Sequence, residues 1–194
     1  LTFLLLLSLF CICIIISNLI EIKTIDIGSF FTITAGVIVF PISYILNDCI
    51  VEVYGFRKAR LMIWLGFAAN FLVSVFLQIA IALPGGATWE HQEAMVAIYS
   101  SVPRIMFASF AAFICGSMIN AYVMSKMKAK DGIRHFSVRA IVSTLWGEGA
   151  DSLIFFPTAF AGVFPWSTII SLIITQAIIK TVYEIIILPV TIRV

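Results

Sequence analysis

Long apolar runs alternate with short polar links along this chain. A helix that crosses a bilayer needs about 20 predominantly apolar residues. That rule predicts six spans, over residues 1–20, 30–53, 61–83, 104–124, 137–161 and 167–192. The first carries no charge. The second contains Pro41, Asn47, Asp48 and Glu52 and stops at Gly55, after which Arg57, Lys58 and Arg60 are expected to form a tight turn. The third closes on Pro84-Gly85-Gly86. Residues 84–103 are expected to be the longest loop, polar and holding Trp89, Glu90, His91 and Glu93. Pro103 suits the first turn of the fourth helix. In that helix Ala108, Ala112 and Gly116 form a row of small residues that permits close packing, within the monomer or across a homodimer. The fifth helix is expected to be interrupted at Gly147-Glu148-Gly149, and Phe164-Pro165-Trp166 makes a short turn into the sixth.

Composition turns this pattern into a fold class. Of 194 residues, 62% are hydrophobic and only 11% charged, against about 25% charged in a soluble domain. A core cannot absorb that excess of aliphatic and aromatic side chains, so the solvent is lipid. The reading is an all-α integral membrane protein, one transmembrane domain over residues 1–194, in contact with the lipid bilayer. The net charge of +2 gives no reason to expect a nucleic-acid partner; how the charge is distributed says more. The links on one side and the C-terminus hold Arg57, Lys58, Arg60, Lys126, Lys128, Lys130, Arg134, Arg139 and Arg193, whereas those on the other hold Lys23 and Arg104. Nine against two places the basic side, with both termini, in the cytoplasm. Cys11, Cys13, Cys49 and Cys115 sit in apolar segments without CxxC spacing, so no disulfide framework, metal site or cofactor is expected. The chain starts without Met inside an apolar run and is expected to be trimmed or incomplete. Residues 1–20 lack the basic start and small-residue cleavage site of a signal peptide.

Against that apolar background Asp48, Glu52, Glu148, Asp151, Lys180 and Glu184 stand out. Each would cost about 2.5–3.5 kcal/mol at the centre of a lipid-facing helix, so they are expected to face a common interior. Asp48 and Glu52 are four residues apart and Glu148 and Asp151 three, each pair on one helix face. Phe155 lies a turn beyond Asp151, and Gln176, Lys180 and Glu184 recur at helical spacing on the last span. Five acids against one lysine do not make a balanced structural network. Protonation of some carboxylates, or a cationic or donor-rich ligand, completes such a set. Both point to transport. The pairs fall on the middle helix of each half, which predicts two inverted three-helix repeats around a midplane site.

Two motifs carry a family resemblance: Asn47-Asp48-Cys49-Ile50-Val51-Glu52-Val53-Tyr54-Gly55-Phe56-Arg57-Lys58-Ala59-Arg60 and Trp146-Gly147-Glu148-Gly149-Ala150-Asp151-Ser152-Leu153-Ile154-Phe155-Phe156-Pro157. The chain resembles the queuosine precursor transporter family, also called the vitamin uptake transporter family, in motif order and six-helix layout. The resemblance implies uptake across a bacterial inner membrane of 7-cyano-7-deazaguanine or its aminomethyl relative, a small deazapurine. The residues are suited to it. A carboxylate accepts two N–H groups from a deazaguanine edge, and aromatic faces stack on the ring. Trp146, beside the glycine pair, is the first choice for stacking, with Tyr44, Phe155 and Phe156 nearby. Asn47, Gln176 and Lys180 suit the carbonyl or ring nitrogens.

Two other classes are weighed against this one. The substrate-binding membrane subunit of an energy-coupling-factor transporter also has about six helices, but usually carries an A-x-x-x-A face on its first helix; residues 1–20 contain no alanine. No Walker-type G-x-x-x-x-G-K-[ST] pattern is present, so the chain has no ATPase of its own. An intramembrane enzyme would need reactive motifs such as H-E-x-x-H or G-x-S-x-G. Neither occurs, and His91 and His135 lie in links away from the acids.

Overall fold

The computed structural model describes residues 2–28, 31–39, 42–43, 46–47, 50, 53–131 and 136–191. Its elements, in chain order, are α1 (Thr2–Ile20), β1 (Thr24–Ile27), β2 (Phe31–Thr34), a 3-10 turn (Ala35–Ile38), α2 (Phe56–Ala82), α3 (Gln92–Tyr99), α4 (Val102–Asp131), α5 (Phe136–Phe160) and α6 (Trp166–Thr191). Ser43, Leu46, Asn47, Ile50 and Tyr54 are also helical. Among the described residues four segments are long and apolar enough to cross a membrane: Thr2–Ile20, Arg57–Ala82, Gln92–Met127 and Trp166–Tyr183. Helix α5 is not among them, because Trp146 to Asp151 dilutes its apolarity. Side chains such as Leu5, Phe76, Phe107, Leu153 and Ile186 are exposed. In a water-soluble protein that surface would aggregate; in lipid it is the ordinary exterior.

The chain divides into two compact units, residues 1–25 with 34–107, and residues 26–33 with 108–194. In the first unit α1 packs along α2. Phe10, Cys13, Leu46, Ile50, Ala59 and Met62 form its core. The two helices run parallel: Lys58 Nζ lies 5.2 Å from the Phe3 ring centroid, and farther along both helices Gly66 faces Phe10 and Ile14. A methyl group on Gly66 would come within 2.9 Å of Phe10 Cε1, so glycine sets that close approach. In the second unit α5 and α6 form a long helical hairpin. Gly162, at φ 81°, closes α5 in the left-handed conformation that favours glycine. The Phe160 carbonyl accepts from the amides of Val163 and Phe164, and Ile169 then donates to Pro165.

Four expectations are corrected. Residues 31–38 are a β-strand and a 3-10 turn rather than the start of an α-helix. The polar link before them folds back as β1, so a two-stranded hairpin interrupts the helical architecture. Alternation of Thr and Ile in Thr24–Ile27 and Phe31–Thr34 is the signal, with β-branched residues favouring extended backbone. Arg57, Lys58 and Arg60 lie in the opening turns of α2 rather than in a tight turn, since the helical backbone breaks before them, at Gly55 with φ 78°. The loop over residues 84–103 contains α3. Gln92 Nε2 donates to the Ile81 carbonyl at 2.9 Å, and Gln78 Nε2 donates to the Tyr99 carbonyl at 2.8 Å, fastening both ends of α3 to α2. Lastly, α5 runs unbroken through Gly147-Glu148-Gly149. Each glycine costs about 1 kcal/mol in a helix, less than opening backbone hydrogen bonds away from water.

Candidate functional site

The second unit brings three of the expected charges together. Lys180 of α6 reaches between Glu148 and Asp151 of α5, with Nζ 3.0 Å from Glu148 Oε2 and 2.6 Å from Asp151 Oδ2. Glu148 and Asp151 share a helix face, so one ammonium serves both carboxylates. The lysine side chain is 9% exposed and the acids 15% and 17%, so the group is largely withdrawn from solvent. The same two helices also bury neutral polar residues, Ser143, Thr144 and Ser152 on α5, and Thr175, Gln176 and Thr181 on α6. Ser152 Oγ has no hydrogen-bond partner among the described residues. With all three groups ionised the cluster carries a net charge of −1. Such a cluster can exchange the lysine for another N–H donor.

Backbone approach sets this geometry. A Cβ on Gly116 of α4 would lie 2.9 Å from the Gly147 carbonyl oxygen and 3.0 Å from Asp151 Cβ. A Cβ on Gly147 would lie 2.8 Å from Asn120 Cβ and 3.0 Å from the Gly116 carbonyl oxygen. The glycine expected to break the helix is therefore a crossing point, where α4 and α5 touch backbone to backbone. Ala108 and Ala112, on the same row of α4 as Gly116, are also buried. The crossing fixes the height of Asp151 against α4.

The other expected site residues fall in several places. Gln176 is buried one turn before Lys180 on α6. Phe155 is buried one turn beyond Asp151, within a cluster in which it meets Phe156 and Phe160 edge to face at 5.0 and 6.1 Å. Trp146 is 62% exposed on α5, two residues before Glu148 and so on the far side of the helix from the ion pair. Glu184 is helical, and its side chain is not among those described. Asp48, Glu52 and Tyr44 lie outside the described residues. Asn47, in the first unit, is half-buried, with Oδ1 lacking a hydrogen-bond partner among the described residues.

The first unit holds a second polar set, which the hydrophobic pattern does not single out. Glu21, assigned by sequence to a polar link, is 1% exposed and accepts a 2.6 Å hydrogen bond from Thr34 Oγ1. Gly36 makes room for it: a Cβ there would collide with Glu21 Oε2 and come within 3.1 Å of Ser17 Oγ. The Ala35 amide donates to the Lys23 carbonyl at 2.8 Å, which pins the 3-10 turn beside the end of α1. Ser17, Asn18 and Asn70 are at most 2% exposed. Ser17 Oγ, Asn18 Nδ2 and Asn70 Nδ2 have no hydrogen-bond partner among the described residues. The signal that could have found this set is the spacing of Ser17, Asn18 and Glu21 at the end of an otherwise apolar run.

Comparison with known proteins finds a family and relatives for the chain. The model of a family described as putative vitamin uptake transporter matches residues 34–194. A probable queuosine precursor transporter of Bacillus subtilis (strain 168) is 27% identical over 174 residues, 89% of this chain and 76% of that protein. The queuosine precursor transporter of Escherichia coli (strain K12) is 28% identical over 130 residues, 67% of this chain and 56% of that protein. A probable queuosine precursor transporter of Haemophilus influenzae is 25% identical over 130 residues, 67% of this chain and 53% of its own length. The chain thus spans about three quarters of one relative and little more than half of the other two. No solved structure matches.

Proposed function

This chain belongs to the putative vitamin uptake transporter family, a family of transporters rather than enzymes, and on that premise we propose that it carries a queuosine precursor into the cell. The substrate is a deazaguanine, 7-cyano-7-deazaguanine or its aminomethyl relative, crossing a bacterial inner membrane with both chain termini in the cytoplasm. The names of the three relatives support the substrate class. The excess of Lys and Arg in alternate links supports the orientation.

The observation that carries this reading is the lysine held between two carboxylates on α5 and α6. Withdrawing three charges from water costs several kcal/mol per ion, and hydrophobic replacements are often at least as stable. A transporter has a use for such groups, because a substrate rich in N–H donors competes with Lys180 for Glu148 and Asp151. Gln176, Phe155 and Glu184 are the further substrate-binding candidates of the second unit, with Trp146 a separate candidate on the opposite face of α5, and Asn47, Asp48 and Glu52 are those of the first. Six spans arranged as two inverted repeats give these residues access to each side in turn.

The test is uptake of labelled 7-cyano-7-deazaguanine by cells unable to synthesise it. Wild-type protein restores uptake, whereas Glu148→Ala and Asp151→Ala abolish it while the protein remains in the membrane. Normal uptake by both variants would remove the acids from the site. Uptake that appears only when a separate ATPase copurifies would reassign the chain to an energy-coupling-factor complex.

A further inference from the structure

In the first unit Glu21, Ser17, Asn18 and Asn70 are all buried, and Ser17 Oγ, Asn18 Nδ2 and Asn70 Nδ2 meet no hydrogen-bond partner among the described residues. Ser17 and Asn18 lie one helical turn before Glu21, on the face that carries its carboxylate. Ser17 Oγ and Glu21 Oε2 converge on Gly36. Asn70 comes from α2. Because Gly66 faces Phe10 and Ile14 and the helices run parallel, Asn70, one turn beyond Gly66, is level with Ile14 to Asn18. Ser74, a further turn along, is also buried. A buried amide whose N–H groups meet no acceptor carries a desolvation penalty until a ligand or a water supplies one. Here two amides and a hydroxyl do so within one short stretch of the packed helix pair.

We propose that this constellation is a recognition site for the lactam edge of a purine-like heterocycle. Such an edge sets a ring N–H and an exocyclic amine beside a carbonyl oxygen. Glu21 accepts the two N–H groups, and the amides of Asn18 and Asn70 donate to the carbonyl, so both unpartnered amides gain a complement. Glu21 stays in place because Thr34 donates to one of its oxygens and Gly36 leaves it room. The inference rests on the reading of this protein as a deazaguanine carrier, and it gives the first unit a substrate-reading group of its own.

The experiment compares saturation kinetics of labelled 7-cyano-7-deazaguanine uptake in wild type, Glu21→Gln and Asn70→Leu, with an unlabelled analogue lacking the exocyclic amine as competitor. Wild type should prefer the amine-bearing compound by about tenfold to hundredfold, the range for a hydrogen bond to a charged group. Glu21→Gln keeps the shape of the side chain but offers one acceptor and a donor, and should bring that preference close to unity. Asn70→Leu removes an unpartnered amide, so it should insert and fold at least as well as wild type, yet raise KM about tenfold with little change in maximal rate. A purely structural or hydrated cluster predicts the opposite for Asn70→Leu, unchanged KM with equal or better stability. That result, or full retention of the preference in Glu21→Gln, overturns the proposal. If Glu21→Gln fails to reach the membrane, the KM of Asn70→Leu decides alone. A wild type inert toward the deazaguanine would instead overturn the transport reading, and this inference with it.

Discussion

The two units bury polar chemistry in different ways. The second uses formal charge, a lysine shared between two carboxylates on neighbouring helices, where each ion offsets the desolvation of another. The first sets a carboxylate among hydroxyls and amides, several of which meet no partner among the described residues. Their close approaches differ too. In the second unit backbone meets backbone at Gly116 and Gly147, and in the first a glycine makes room for a side chain, Glu21 over Gly36. A charge-paired cluster is stable until something competes for its charges. A donor-rich, under-satisfied cluster gains stability when a ligand arrives. One unit thus balances its buried polar groups mainly by charge, and the other mainly by hydrogen bonding.

The largest effect should come from removing the shared cation. Lys180→Met leaves two carboxylates facing each other in a largely buried seam, and breaking a buried pair in this way costs about 3–5 kcal/mol. Thermal unfolding in detergent should show the loss, and uptake should vanish. A variant as stable as wild type would show that the lysine is not the cluster's counter-charge. Next comes the backbone crossing: Gly116→Val places branched carbons against the Gly147 carbonyl and Asp151, an overpacking worth about 1–3 kcal/mol. Gly149→Ala, with open space around it, is the control, expected to be neutral or slightly stabilising by the same melting measurement.

In the first unit Thr34→Val removes the donor to Glu21 and should destabilise by about 1.5–3 kcal/mol, the range for a bond to a charged group. A change below that range would mean that the other groups around Glu21 hold it without Thr34. The smallest expected effect on stability is at Trp146. Its exposure predicts that Trp146→Ala shifts stability by no more than about 0.5 kcal/mol. Uptake is the sharper readout there: reduced transport at unchanged stability places Trp146 on the substrate's path, and unchanged transport makes it a surface aromatic.

Charge makes the second unit legible in the sequence. Glu148, Asp151 and Lys180 are conspicuous in apolar helices, and the i, i+3 spacing of the two acids alone requires a shared face. The first unit is less legible because its polar groups are mostly neutral. A serine or asparagine in an apolar run costs far less than a charge, so pattern alone does not separate a functional amide from a tolerated one. Glu21 is charged and still reads as part of a wet link, because it sits where an apolar run ends. The hairpin and 3-10 turn that bury it come from Thr24 to Ile38, where the sequence cue is an alternation only four residues long in each strand.

The amino-acid sequence by itself determined that this protein lives in lipid, that it is built mainly from helices, and which family it belongs to. These follow from the sum of apolar side chains and from long motifs, and neither depends on how helices pack. Tertiary structure decided whether Gly147 breaks a helix or lets two helices touch, and whether Glu21 is wet or buried. Both turn on what lies across from a residue in space. A glycine permits unwinding and close approach alike, and only the presence of Gly116 on the facing helix selects the second. A carboxylate at a helix end is solvated unless the chain folds back over it, as Thr34 and Gly36 do here.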